Sequence, residues 1–324
     1  MIVIARRYGQ LGNRLFLYAH LIAAARHYGV ELRNPSFAEY AKLFPSTRRD
    51  LWCRYDEHLD HPTQKTKSIS REPSQRSRNA LMHVTQAIAK GMDFAGVRNF
   101  PVKVIRLKSD EECDLEGDRF RSAVESGRKL LLQGWMFRSG RLLHRHRASI
   151  QNHFAVSQDD RMAIDQVVDR ARDDCDTLVG VHIRRGDYAN FLGGKYYYED
   201  ADYARMMRGI VEQLPGRRVR FLVCSNEQLD ERQFRGLRLT HGPGSALRDM
   251  YALAETNWMM GPPSTFTGWA AFIGERPRVE ISARDQPVVV PAESASSALS
   301  SSQRSADTKC TDTKCAATEQ SFAA

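Results

Sequence analysis

The sequence predicts an α/β fold built as two Rossmann-like domains. Three observations carry this. Apolar runs of strand length alternate with helix-length segments. Glycine and proline turns separate them. The chain has 324 residues, against about 150 for an average domain. Composition and pattern place an N-terminal domain at 1–155, a C-terminal domain at 156–290 and a Ser/Ala/Thr-rich tail at 291–324.

Ile2 to Ala5 reads as a buried strand, followed by the loop Gly9-Gln10-Leu11-Gly12-Asn13. A helix is expected from about Asn13 to Tyr28, with Leu11, Leu15, Tyr18 and Ile22 on one face and Gly29 as its C-terminal cap. Val30-Glu31-Leu32 opens the next strand. The stretch from His61 to Asn79 is polar and basic, with Lys65, Lys67, Arg71, Arg76 and Arg78 against Glu72, and reads as a mobile loop. A second basic cluster, Arg138, Arg141, His144, Arg145, His146 and Arg147, reads as a helix. A solvated face and an anion-contacting face both remain open for it.

From about residue 157 the alternation restarts. Residues 159–173 are expected to be helical, Leu178 to Ile183 a buried strand, Tyr203 to Leu214 a helix, Val219 to Cys224 a strand, and Ala246 to Ala254 a helix. This order implies a parallel sheet. The tail holds the near-repeat Asp307-Thr308-Lys309-Cys310 and Asp312-Thr313-Lys314-Cys315, too polar for a core, and is expected to be disordered.

Apolar residues make up 42% of the chain, enough for ordinary cores. No apolar run reaches the roughly 18 residues that a membrane span requires, and the N-terminal run is shorter than a signal peptide's. A cytoplasmic protein follows as the expectation. The net charge of +9 suits anionic partners: nucleotides, nucleic acid or an anionic membrane face. The six cysteines form no CxxC pair and are expected as thiols, with Cys224 a small core residue.

The strongest chemical signal is His182-Ile183-Arg184-Arg185-Gly186-Asp187-Tyr188. It falls at the C-terminal end of a predicted parallel strand, where open α/β sheets place ligands. Adjacent strand residues face opposite ways, so Arg184 and Arg185 can do different jobs. One can reach a ligand diphosphate, for which the guanidinium fork is suited, while the other pairs with Asp187 or a nearby carboxylate. An internal Arg–Asp network that shapes a loop is the other reading.

The heptapeptide resembles the HxRRxD signature shared by alpha-1,2-, alpha-1,6- and protein O-fucosyltransferases. The alpha-1,2 family also has a G-x-G/L-G-N-Q-L/F-F-x-Y-A sequence after its first strand, here Gly9-Gln10-Leu11-Gly12-Asn13-Arg14-Leu15-Phe16-Leu17-Tyr18-Ala19. A third region, S-N-S-T-F-S-W-W-A-A, is matched by Gly261-Pro262-Pro263-Ser264-Thr265-Phe266-Thr267-Gly268-Trp269-Ala270-Ala271. The three occur in order over about residues 1–280. Arg14 departs from the family's Gln and Gly268 from its aromatic residue.

The residues also have their own physical reading. Gly9, Gly12 and Asn13 form a loop that a ligand's phosphates can approach, with a helix start behind it; a plain tight turn is the alternative. Ser264 can cap a helix opening at Thr265 and Phe266, whose N–H groups favour phosphate. The family carries S/T-D-D at the position of Ser225-Asn226-Glu227, and its acidic residue contacts guanine. Glu227 is therefore the base-recognition candidate, with His182 as a second contact and a loop-surface glutamate as the alternative.

Asp174-Cys175-Asp176 is formally a DxD, but it precedes its strand and reads as a charged turn. No zinc spacing and no GxxxxGK[ST] loop are present, so no metal and no cofactor are expected. The resemblance implies a GT-B fold, its two domains facing across a cleft, and inverting, metal-independent transfer of L-fucose from GDP-fucose or a related GDP-sugar to a glycan hydroxyl. Arg184 and Asp187 are the catalytic candidates, with Asp187 orienting the arginines. The implied partners are the GDP-sugar, a glycan acceptor such as a cell-surface polysaccharide precursor, and peripheral contact with an anionic membrane. A non-catalytic nucleotide-sugar binder on the same scaffold stays open. Nucleic acid is not expected, because no aromatics interleave the basic loop.

Overall fold

A computed structural model describes residues 1–55, 72–97 and 102–292. The chain divides into two compact units, Met1–Ser157 and Gln158–Ala324.

The first unit opens with β1 (Ile2–Ile4), α1 (Leu11–Tyr28) and β2 (Leu32–Arg33). There follow α2 (Pro45–Arg48), β3 (Arg54–Tyr55), α3 (Gln75–Phe94) and β4 (Lys103–Arg106). Next come β5 (Cys113–Asp114), α4 (Asp118–Glu125), β6 (Leu130–Gln133), β7 (Phe137–Arg138), α5 (Gly140–Arg145) and α6 (Arg147–His153). The main sheet runs β3-β2-β1-β6-β4 and is parallel except for β3. The C-terminal ends of β1, β6 and β4 therefore lie side by side.

Helix α1 starts at Leu11, two residues earlier than the sequence suggests. Gly9 has φ +58°, a left-handed turn, and a Cβ there would lie 2.2 Å from Asn13 Nδ2. Only glycine lets Asn13 fold back onto the turn and the helix begin so soon. Nor is α1 buried on a single stripe. Nearly every residue from Leu11 to Ala25 is buried, because α5, α6, β2 and β7 pack around it. Arg14 is buried too. It donates to the carbonyls of Gly9 (3.1 Å) and Ser36 (3.3 Å) and pairs with Glu39, bracing the turn.

The basic loop expected at 61–79 is corrected in its last part. Ser74 caps α3, accepting from the Ser77 N–H at 3.1 Å. Arg78 turns inward, 0% exposed, and donates to the carbonyls of Thr47, Arg48 and Asp50. The carbonyls at the end of a short helix need donors, and one guanidinium supplies several. Residues 61–71, with Lys65, Lys67 and Arg71, lie outside the described residues, as does the 307–315 repeat. The second basic cluster is not one helix: Arg138 ends β7, and the rest spans α5 and α6. Arg138 is partly buried; desolvation lowers its pKa to about 10, and it donates to the Trp135 and Phe137 carbonyls.

The second unit comprises α7 (Gln158–Arg172), β8 (Thr177–Ile183), α8 (Asp200–Gln213), β9 (Val219–Ser225), β10 (Leu239–His241), α9 (Ala246–Ala254), β11 (Trp258–Gly261), α10 (Thr265–Gly274) and β12 (Arg278–Glu280). Its sheet runs β10-β9-β8-β11-β12, and every pairing is parallel. All seven residues of β8 are buried, as befits a central parallel strand covered on both faces. Val179, Val181 and Ile183 join Tyr203, Met207, Ile210, Phe221 and Trp258 in one core. Each such large side chain contributes roughly 1.5–3 kcal/mol on burial. The alternate residue His182 points to the other face, toward α10. Helix α8 begins at Asp200, earlier than expected, because Glu199 and Asp202 form a capping box.

Cys53, Cys113, Cys175 and Cys224 are free thiols. Burial pushes Cys53 up to about 12 and Cys113 to about 11, so neither is a ready nucleophile. Among the described residues, no helix is long and apolar enough to cross a membrane.

Candidate functional site

Three strand ends of the second unit converge. β8 delivers His182 and the turn from Arg184 to Tyr188, β9 delivers Ser225, Asn226 and Glu227, and β11 delivers Gly261 to Ser264. The register places Ile183 beside Ser225 and Val181 beside Met260, so all three motifs leave the sheet at its C-terminal edge.

The turn after β8 needs Gly186, which has φ +62°; a Cβ there would meet Asn226 Nδ2 at 3.0 Å and Glu227 Oε1 at 3.5 Å. Asn226 Oδ1 accepts from the Arg185 N–H at 2.8 Å, tying the β9 loop to the β8 loop. The Tyr188 hydroxyl donates to the Pro263 carbonyl at 2.8 Å, tying the β8 loop to the β11 loop.

The two arginines have separate roles. Arg185 is buried and forms an ion pair with Asp200 at the start of α8. Asp200 Oδ2 also accepts from the Asp230 N–H at 2.8 Å. Arg184 keeps more access, its side chain 21% exposed; it pairs with Asp187 at 2.9 Å and its guanidinium carbon lies 5.5 Å from the centre of the Tyr188 ring. Asp187, half exposed, thus orients Arg184 and has no contact that would orient Arg185 among the described residues.

His182 stacks on Phe266, ring centroids 4.6 Å apart. Burial, with the Arg184 charge adding to it, pulls the imidazole down to about 3, so it is neutral near pH 7. Its Nδ1 has no hydrogen-bond partner among the described residues. Ser264 caps α10 as the sequence suggests: its hydroxyl accepts from the Phe266 N–H at 3.1 Å. Arg278 on β12 donates to the Ser264 carbonyl at 3.1 Å and holds the cap in place. The first turn of α10 thus points its positive end at the same edge as Arg184.

Glu227 is exposed and lines a cavity of about 260 Å³ together with Ser225, Gln228, His241, Gly242 and Asp249. Gly9, Gly12 and Asn13 belong to the first unit. The Asp174 and Asp176 carboxylates are bound by Arg218 and Arg238 at the opposite, N-terminal end of β8. Among the described residues no group of three metal-ligating side chains is found. Sequence reading quoted Tyr188 and Asn226 within its motifs but gave them no role, and it missed Asp200 and Arg278. The acidic first turn of α8 was the one visible sign of Asp200.

Residues 138–294 match the model of glycosyl transferase family 11, so the resemblance read from the His182–Tyr188 and Gly261–Ala271 motifs is borne out; the Gly9 motif lies outside the matched segment. The fold is similar to that of a mutant of Arabidopsis thaliana FUT1 in complex with GDP, at 12% identity and TM-score 0.51, covering 88% of this chain and 72% of the other. It is likewise similar to POFUT1 in complex with GDP-fucose, at 13% identity and TM-score 0.53, covering 87% and 97%. Comparison with curated proteins gave no match. The α/β fold with parallel sheets is the fold of these fucosyltransferases.

Proposed function

We propose that this chain is an inverting, metal-independent glycosyltransferase that moves L-fucose from GDP-fucose to a glycan hydroxyl, forming an alpha-1,2 linkage. The observation that carries the reading is Arg184, held by Asp187 and Tyr188 beside the Ser264-capped start of α10. The fucosyltransferases of like fold, with GDP or GDP-fucose bound, supply the donor.

The chemistry follows from charge. The acceptor oxygen attacks the sugar's anomeric carbon from the face opposite the diphosphate. The bond to the β-phosphate oxygen breaks, GDP leaves with the electron pair, and the acceptor's proton passes to solvent. Negative charge grows on the diphosphate, and Arg184 with the α10 terminus stabilises it where it grows. These groups do the work that a cation would do, while Asp174 and Asp176 are committed to arginines. Glu227 accepts from the guanine edge. Ser264, Thr265 and Phe266 meet the phosphates.

The test is GDP release by the full chain across GDP-, UDP- and dTDP-sugars with a panel of galactosides. Release confined to GDP-fucose plus acceptor, with an alpha-1,2 product by NMR, supports the reading. Donor binding with no release under any acceptor overturns it in favour of a binding protein.

A further inference from the structure

A cavity of about 570 Å³ lies in the first unit, and the chemistry above assigns it nothing. That volume is within the range of small-ligand sites, roughly 300–1,000 Å³. It sits where β1, β6 and β4 end side by side, again the ligand-binding edge of a parallel sheet. β1 leads into Arg6 and Tyr8, β6 into Trp135, and β4 ends in Arg106 and leads into Lys108; all of these line it.

The lining has two distinctive features. First, its charges do not cancel. Arg106 pairs with Asp93, and Arg119 pairs with Glu111. Arg6 and Lys108 make no direct ion pair among the described residues, although Lys108 acts on Glu111 through space; four cations face two carboxylates, so the lining keeps an excess of two positive charges. Second, two aromatic rings stand among the charges and each is fixed. The Arg138 guanidinium lies 5.5 Å from the Trp135 ring centre and donates to the Trp135 carbonyl at 2.8 Å. Arg6 lies 5.2 Å from the Tyr8 ring centre. Burial raises the Tyr8 hydroxyl above its usual range, so it stays a neutral hydrogen-bonding group.

Fixed aromatic faces accept the apolar C–H face of a sugar ring, and excess positive charge at the rim selects an anion. We propose that this cavity binds a saccharide carrying a carboxylate or a phosphate. The saccharide half rests on the glycosyl transfer proposed above and deepens it by making the acceptor acidic. The anionic half rests on Arg6 and Lys108 alone.

Calorimetry on the full chain tests this with a glucuronosyl-galactose disaccharide against its glucosyl counterpart, a phosphorylated galactoside against its parent, and inorganic phosphate. At least one acidic sugar should bind about 10- to 150-fold tighter than its neutral partner, the range for a hydrogen bond to a charged group. The pair that shows the gap names the anion. Lys108→Gln and Arg6→Gln should each shrink it while GDP binding, the check on folding, is unchanged. Lys108 is exposed, so its replacement leaves the core intact. Equal affinity for acidic and neutral sugars overturns the proposal. So does a preference that survives both substitutions, and so does phosphate alone binding as tightly as the sugars. Acidic-sugar binding that persists when no acceptor elicits GDP release supports the cavity and counts against the transfer reading.

Discussion

Arg185 and Asp200 bury their charges against each other, with side-chain exposures of 8% and 10%, while the neighbouring Arg184 pairs with Asp187, which is 53% exposed. The consecutive guanidiniums therefore split: one holds the β8 turn to the start of α8, and the other faces the strand-end site.

Asp200→Ala should destabilise the second unit by about 3–5 kcal/mol, because it strands a buried guanidinium without its counter-charge. Urea denaturation measures it. Replacing both partners with apolar residues of similar volume, Arg185→Met with Asp200→Leu, should recover much of the loss. A single variant as stable as wild type would show that Asp200 is not what compensates Arg185.

Arg184→Ala should lower the rate of GDP-fucose turnover by about 100- to 1,000-fold, the effect of removing one group that stabilises transition-state charge. Stability should change little, since the side chain is partly exposed. Arg184→Lys should also suffer, because an ammonium cannot fork to two oxygens. Steady-state kinetics beside a melting curve separates this variant from Arg185→Ala, whose main effect should be on folding. Full turnover in Arg184→Ala would remove it from the site.

The contrast between the two arginines shows what the sequence could reveal. The motif, its place at a strand end and the Ser264 cap are local in sequence, and each was legible from residue type and spacing. The partners were not. Asp200 lies fifteen residues from Arg185, and the Tyr188–Pro263 and Arg78–Thr47 contacts span longer separations still. Sequence periodicity does not report which carbonyl or carboxylate a distant guanidinium reaches. The α1 helix taught the same lesson: an apolar stripe was visible, but its burial on the remaining sides depends on α5, α6 and β7. The cavity at Arg6 and Trp135 arises from the β1-β6-β4 strand order, which no single stretch of sequence encodes.

Turnover should persist in EDTA. Asp174 and Asp176 are engaged by Arg218 and Arg238, and Arg184 with the α10 terminus supplies positive charge at the site. Activity lost on chelation and restored by manganese would show that the diphosphate needs a cation after all.

Stability should fall as pH drops below about 6.5. Burial pulls both His153 and His182 down to about 3. In the unfolded chain each takes up a proton near pH 6.5. Between those values the unfolded state binds more protons, so unfolding free energy rises with pH. The two groups together give a slope of up to about 2.7 kcal/mol per pH unit near pH 5, at about 1.4 for each proton. Denaturant titrations between pH 5 and 8 measure the slope. A flat profile would mean that the histidines are protonated in the folded protein.

Under the proposed transfer, Glu227 is the residue assigned to the guanine base. It is exposed, lines the 260 Å³ cavity at the end of β9, and comes near the Gly186 turn. Its neighbour Asn226 is committed to the Arg185 N–H, so Glu227 is the one with a side chain open to a ligand's donors. A carboxylate there can accept from guanine's N–H and exocyclic amine together. Glu227→Gln replaces one acceptor oxygen with a donor and sets an amide N–H₂ against a guanine N–H. The loss of a hydrogen bond to a charged group is about 1.5–3 kcal/mol, or roughly 10- to 150-fold in GDP affinity. IDP lacks the exocyclic amine, so wild type should prefer GDP and the variant should lose most of that preference. The effect should be confined to the base: Arg184→Ala weakens both nucleotides alike, because it acts on the phosphates. Calorimetry of GDP and IDP with the three proteins decides the matter. An unchanged GDP-to-IDP ratio in Glu227→Gln would take this residue out of base recognition and turn attention to His241 and Asp249, which line the same cavity.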